Sequence, residues 1–245
     1  ERAAAGDWLH QNLGTPPDFA VVLGSGIPAP WPCEAQADVA YGAVPYWRPG
    51  QVGGHPYKLM ITAHGGIRYV FLCGRLHEYE GYDLSEVQLP VRSMAAWGVR
   101  RLVLTSAAGG VAEDACPQEL VVVDSVLDFQ YRASDGGPVV LPATSPQMLE
   151  RLTAAMAKGD LQATHGPHAS VPGPQYETPA ELGLLDKAGA RTVSMSPAGE
   201  VRAALDEGLE MVVLAVVTNL GEATHSHVVE PVSYTHLTLP TNREV

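Results

Sequence analysis

The 245-residue sequence is poor in cysteine, in phenylalanine and in positive charge, and it has no long apolar run. Its three cysteines (Cys33, Cys73 and Cys116) are too few and too scattered for a disulfide scaffold, and none has metal-ligand spacing. Fifteen Lys and Arg stand against 27 Asp and Glu, a formal charge of -12. That balance argues against nucleic acid or an anionic membrane as partner, while leaving room for a local basic pocket that takes one small anion. With no bilayer-length apolar stretch and no signal-peptide pattern, the expectation is a soluble, cytoplasmic protein. Glu1 in place of a methionine suggests a trimmed chain or a fragment.

Several catalytic signatures are missing too. Gly24-Ser25-Gly26 is followed by Ile-Pro, so it is neither a dinucleotide fingerprint nor a G-x-S-x-G nucleophile elbow. His77-Glu78 lacks the second histidine of a zinc helix, and His165 and His168 have no nearby carboxylate before Glu177, so no metal site is expected.

What is present is organised around residues 70–111. VFLCG (70–74) is an apolar run that stops at a glycine, and RLHEYEGYD (75–83) is dense in side chains that can hold an anion or a hydroxyl. RLVLTSAAGGV (101–111) is a second apolar run that breaks into small residues. The pattern predicts strand, polar loop, helix, strand and small-residue loop. In an open α/β sheet the loops leaving the carboxyl ends of neighbouring parallel strands face one crevice, where ligands bind.

Along the chain, 1–18 reads as the end of a helix and a linker, and FAVVL (19–23) as a buried strand entering the Gly-Ser-Gly turn. One strand is expected around 41–46, then a hairpin over 58–74 turning at His64-Gly65-Gly66. A helix over 83–97 has Asp83 as cap, Glu86 three residues on and Gly98 as stop. Further strands are expected at 119–129, 191–196 and 211–221, with helices at 146–158, from Thr178-Pro179 onward, and before 208. Buried strands alternating with helices predict one α/β domain with a mostly parallel, doubly wound sheet.

Collecting the polar residues just after each apolar run gives Ser25, Arg75, His77, Tyr79, Ser106, Glu177, Ser196 and Asn219. Arg75, His77, Ser25, Ser196 and loop amides form a donor set suited to a phosphate dianion. Glu177 and Asn219 together suit the edge of a heteroaromatic ring that shows both donors and acceptors.

These residues carry a resemblance. GSG (24–26), GRLHEYEGY (74–82), TSAAGG (105–110), PGPQYETPAE (172–181), SMS (194–196) and VTNL (217–220) are similar, in order, to the blocks of the trimeric purine nucleoside phosphorylases. The resemblance runs from about Phe19 to Val229. It implies a mixed central sheet flanked by helices, a homotrimer with sites near subunit boundaries, and no metal or organic cofactor. The implied reaction is phosphorolysis of a purine nucleoside to free base and ribose 1-phosphate. By position, Ser25, Arg75, His77, the Ala107 amide and Ser196 resemble the phosphate site, and His55 falls where the family has a phosphate-gate histidine. Tyr79 and Met195 resemble ribose contacts, His227 a 5′-hydroxyl partner, and Glu177 and Asn219 the base-reading pair, with His77, Glu177 and Asn219 as the catalytic set. Asn219 favours 6-oxopurines (inosine, guanosine and their deoxy forms), since the similar methylthioadenosine phosphorylases usually have aspartate there. A methylthioadenosine-type phosphorylase or a catalytically weak nucleoside-binding protein is the alternative.

The chain departs from the family pattern at several places. Ser106 replaces an asparagine, SMSPAGE (194–200) replaces GMSTVPE, DSVLD (124–128) replaces DHINL, and His168 stands where a sugar-contacting tyrosine is usual. After about Glu230 the sequence PVSYTHLTLPTNREV (231–245) matches no family block. The expectation is a C-terminally truncated phosphorylase domain over 1–230 and a non-native tail over 231–245.

Overall fold

The structure is a computed structural model and describes residues 1–28, 35–50, 56–132 and 136–220. Among the described residues it holds five α-helices and ten strands: α1 (Arg2–Leu13), β1 (Phe19–Leu23), β2 (Ala37–Ala40), β3 (Lys58–His64), β4 (Ile67–Cys73), α2 (Leu84–Trp97), β5 (Arg101–Gly110), β6 (Leu120–Arg132), β7 (Pro138–Pro142), α3 (Pro146–Gly159), β8 (Thr164–Ser170), α4 (Pro179–Lys187), β9 (Thr192–Ser194), α5 (Ala198–Asp206) and β10 (Glu210–Leu220).

The apolar runs become strands because their side chains meet cores on both faces. β4, β1, β5 and β10 lie parallel to one another in that order, Val22 beside Leu72 and Leu104, and Val213 beside Leu104. β6, β8 and β9 form a second parallel set. Antiparallel pairings join β2–β3–β4, β6–β7, β10–β6 and β5–β9. The sheet is therefore mixed, as the family resemblance implies. Pairings β5–β10–β6–β8–β9–β5 close a ring, and β1–β4–β3–β2 extends from β5 as an open wing.

Two helix starts follow their sequence signals. Asp83 accepts from the Glu86 amide and Thr178 from the Glu181 amide, and both complete capping boxes; Gly98 ends α2 in the left-handed region at φ 118°. α2 buries Leu89, Val91, Met94 and Trp97 in the main core. Burying a side chain of this size contributes about 1.5–3 kcal/mol.

Two expectations need correction. The strand expected at 41–46 lies earlier, at Ala37–Ala40, and Tyr41–Ala43 is a 3-10 turn. The expected small-residue loop TSAAGG is strand to its last residue, with β10 paired along its whole length and β9 against Gly109 and Gly110. Tertiary pairing overrides the weak strand propensity of alanine and glycine there. Ser106 and Asn219 accordingly sit on strands, not on loops.

Candidate active site

The carboxyl ends of β1, β4, β5, β9 and β10 converge. At β1 the chain turns through Gly24, whose amide donates to Thr105 Oγ1 at 3.0 Å, while that hydroxyl lies 2.9 Å from the Val22 carbonyl. A Cβ on Gly24 would lie 3.0 Å from Ser106 Cα and 3.2 Å from the Ala107 nitrogen. Only glycine permits this approach, which lays the turn leading to Ser25 against β5 at Gly24.

Arg75 follows β4 and is 4% exposed. Its Nε donates to Glu200 Oε1 at 2.8 Å and its Nη1 to Ser196 Oγ at 2.9 Å, while Nη2 is buried with no hydrogen-bond partner. A buried guanidinium with one idle N–H costs about 1–3 kcal/mol unless an acceptor arrives. Glu200 compensates part of the charge and fixes the plane of the group, and the open donor on Nη2 is available to an anion.

His77 is also buried. Its backbone amide and its Nδ1 both meet Glu80 Oε1 at 2.9 Å, and its ring stacks on Tyr79 with centroids 4.8 Å apart. A carboxylate can only accept, so Nδ1 carries the proton and Nε2 is the nitrogen presented to a ligand. Burial raises the Tyr79 hydroxyl above its ordinary value, and the nearby Glu80 charge adds to this.

Ser196, in the turn from β9 to α5, lies 3.4 Å from Ser106 Oγ, which is 3.0 Å from Ser194 Oγ. His77, Glu78, Gln130, Met195, Ser196 and Glu200 line one cavity of about 10 Å³, room for a single water. Met195 packs against Gly173, where any Cβ would overlap its sulfur, so the loop carrying Glu177 is laid against the Ser196 turn. Burial raises the Glu177 carboxyl above the ordinary range, and the Glu181 charge raises it further. On β10 the Thr218 hydroxyl lies 3.1 Å from the Ala108 carbonyl and 3.0 Å from the side-chain amide of Asn219, which also borders Gly109.

Several of the sequence-selected residues are thus brought together: Arg75 contacts Ser196, Ser196 contacts Ser106, and His77, Met195 and Ser196 line the shared cavity. No hydrogen bond joins Glu177 to Asn219. His55, His227 and the 231–245 tail lie outside the described residues. His168, which stands where the family has a sugar-contacting tyrosine, is fully buried behind Ser194 and Ser196. Sequence reasoning missed Glu200, Thr105 and Glu80. Glu80 had a signal, since a carboxylate three residues after His77 is capping-box spacing. The larger hollow of the described residues, about 460 Å³ beside Phe129, Tyr131 and Lys187, is lined by none of the selected residues.

No group of three or more His, Cys, Asp or Glu side chains converges as metal ligands would, and no helix is long and apolar enough to cross a membrane, among the described residues.

A buried arginine with an open Nη2, at the strand ends of a mixed sheet, fits the sequence comparisons. The sequence model of the phosphorylase superfamily matches residues 18–236, and the chain belongs to that superfamily and, within it, to the purine nucleoside phosphorylase family. A purine nucleoside phosphorylase of Mycobacterium leprae is 37% identical over 205 residues, covering 83% of this chain and 76% of the relative. Purine nucleoside phosphorylase 1 of Geobacillus stearothermophilus is 31% identical over 247 residues, covering 92% and 89%. The mouse purine nucleoside phosphorylase is 31% identical over 228 residues, covering 86% and 79%.

Proposed function

We propose that this chain catalyses the phosphorolysis of 6-oxopurine nucleosides, with inorganic phosphate as co-substrate and no metal or organic cofactor. Arg75, His77, Ser25, Ser196 and the Ala107 amide hold the phosphate. Tyr79 and Met195 face the ribose, and Glu177 and Asn219 read the base. His55 as a gate and His227 at the 5′-hydroxyl complete the set from outside the described residues. A phosphate oxygen bonds to C1′ from the face opposite the base as the C1′–N9 bond breaks. The bonding pair leaves with the purine, so the configuration at C1′ inverts. The leaving purine develops negative charge, and Asn219 donating toward N7 stabilises it most when it is largest. Arg75 and His77 act by holding the phosphate in line for attack.

One observation carries this reading: the buried Arg75, anchored at two nitrogens and open at the third, beside Ser196. The base preference follows from Asn219. Its side chain is an amide and not a carboxylate, and an NH2 group can donate to the N7 and O6 acceptors of a 6-oxopurine, whereas it opposes the amino group of adenine. Glu177 as a carboxylate accepts from N1–H, which adenine lacks.

As part of the same proposal the protein is a cytoplasmic homotrimer, and residues 231–245 are not needed for catalysis. Base release from inosine, adenosine and methylthioadenosine, each with and without phosphate, tests the function. Phosphate-dependent release from inosine is expected. Release without phosphate would mean hydrolysis, and a preference for either adenine nucleoside would overturn the 6-oxopurine assignment.

A further inference from the structure

Behind the Ser196 turn lies a buried polar cluster with no place in the reaction as described. His168, on β8 and paired in register with Thr192 of β9, has no exposed surface. Its Nδ1 is 2.8 Å from Thr192 Oγ1, and its Nε2 is 2.8 Å from the Ser196 carbonyl and 3.0 Å from Ser194 Oγ. A carbonyl can only accept, so Nε2 carries the hydrogen, and Nδ1 then accepts from the Thr192 hydroxyl. The tautomer is thereby fixed at both ends. The Ser194 hydroxyl donates to the same carbonyl at 2.6 Å, and Ser106 Oγ lies 3.0 Å behind Ser194.

Ser196 is therefore held at both of its polar ends. Two donors hold its carbonyl from the interior, while Arg75 Nη1 donates to its Oγ. An Oγ that accepts from a guanidinium has its own proton left to give, and its one protein acceptor is the distant Ser106 Oγ at 3.4 Å, which a bound acceptor can replace. Burial, with the Arg75 charge nearby, holds the imidazole pKa down at about 4, in keeping with a neutral ring that serves as a fixed donor.

Resting on the phosphate-site reading above, we propose that His168 is the positioning residue of that site: its Nε2–H clamps the Ser196 carbonyl and so aims the Ser196 hydroxyl at the bound phosphate. The ring touches neither phosphate nor nucleoside. Its effect is confined to the co-substrate held by Ser196.

Glutamine places an amide nitrogen near the position of imidazole Nε2, whereas asparagine places one near Nδ1. His168→Gln can keep the clamp and His168→Asn cannot, although both are polar and smaller. Steady-state kinetics on inosine with varied phosphate, and phosphate dissociation constants from thermal shift, read the result. His168→Asn is expected to raise the phosphate KM about tenfold, the effect of losing one buried hydrogen bond, while the inosine KM moves less than about twofold. His168→Gln should recover most of that loss. Thr192→Val, which leaves the imidazole in place and removes the partner of Nδ1, should raise the phosphate KM about threefold on the same scale. It carries the test if His168→Asn does not fold.

Unchanged phosphate KM in His168→Asn or in Thr192→Val would overturn the proposal, as would Gln and Asn variants equally impaired in phosphate and inosine KM. Failure of the site reading itself is distinguishable. It would show in the unaltered protein, as no phosphate-dependent cleavage and no stabilisation by phosphate, and it would remove this inference with it.

Discussion

Two arginines of this protein are each held by carboxylate and hydroxyl groups, and they differ in one respect. Arg191 donates from Nε to Glu119 and Thr164 and from Nη1 to Asp114, and its Nη2 reaches both Asp114 and Glu119. All three of its nitrogens are engaged, at an edge where Asp114 is exposed. Arg75 is more deeply buried, shares one carboxylate and one hydroxyl, and keeps Nη2 without a partner. The first arrangement is complete as it stands and ties β5, β6, β8 and β9 together. The second is completed by something that is not protein. Burial and charge alone do not separate a structural arginine from a binding one, but the count of unused donors does.

The largest expected effect breaks this comparison at Arg75. Arg75→Ala should raise the apparent phosphate KM about 100-fold or more, two charge-assisted contacts being lost. It should also destabilise the fold by about 3–5 kcal/mol, because Glu200 is left charged and buried alone. The double variant Arg75→Ala/Glu200→Gln separates the two effects. Its melting temperature should return most of the way while phosphate binding stays lost. Arg191→Ala should lower the melting temperature and leave the phosphate KM unmoved; a matching rise there would erase the distinction between the two arginines.

Next in size is Glu177→Gln, for which kcat/KM on inosine should fall about 100-fold, with the phosphate KM within twofold, since the lost charge acts on the leaving base. Because burial holds the Glu177 carboxyl above its ordinary range, inosine cleavage should also fail on the acid side at a higher pH than an exposed glutamate would impose. The pH profile of kcat/KM checks this, and the Gln variant should lose that acid limb.

A smaller effect concerns stability. His168 titrates at about 4 in the folded protein, against about 6.5 for an ordinary histidine, so the unfolded chain binds a proton that the native chain refuses. Its contribution is fully present above about pH 6.5 and is lost as the pH falls toward 4, on the order of 3 kcal/mol in all. Urea unfolding at pH 7.5 and 4.5 should show the loss in the unaltered protein and a flatter dependence in His168→Gln. The smallest effect is expected from deleting 231–245, which should shift the melting temperature by about 2 °C or less and leave inosine cleavage unchanged.

How much of this was legible depended on the range of the interactions. The caps at Asp83 and Thr178, the hairpin around Gly65-Gly66 and the apolar strands are local, and the sequence shows them directly. β5 is the contrary case. Thr105 to Gly110 look like a loop because nothing local favours a strand, and they become one through β10, more than 100 residues away in the chain. The site divides along the same line. Arg75, His77 and Ser196 could be picked out as polar residues after apolar runs. Glu200, which shares a hydrogen-bonded pair with Arg75, sits in a helical turn with no signal of its own. The place of His168 was not legible for a related reason, since the neighbours of a side chain on β8 are settled by β9.

The closed ring of strands has one more consequence, for how copies of this protein can meet. A ring has no rim on which a further strand could be laid, so among the described residues only β2 and β7 end the sheet. β7 is bounded by Pro138 and Pro142, and proline has no amide hydrogen to offer a newcomer. β2 is four residues long and carries Asp38 in an ion pair with Lys58, a charged pair that resists an apolar strand seeking to add itself. Runaway sheet growth from one molecule to the next is thus discouraged at both ends, and contacts between copies are left to side-chain surfaces away from the sheet edges.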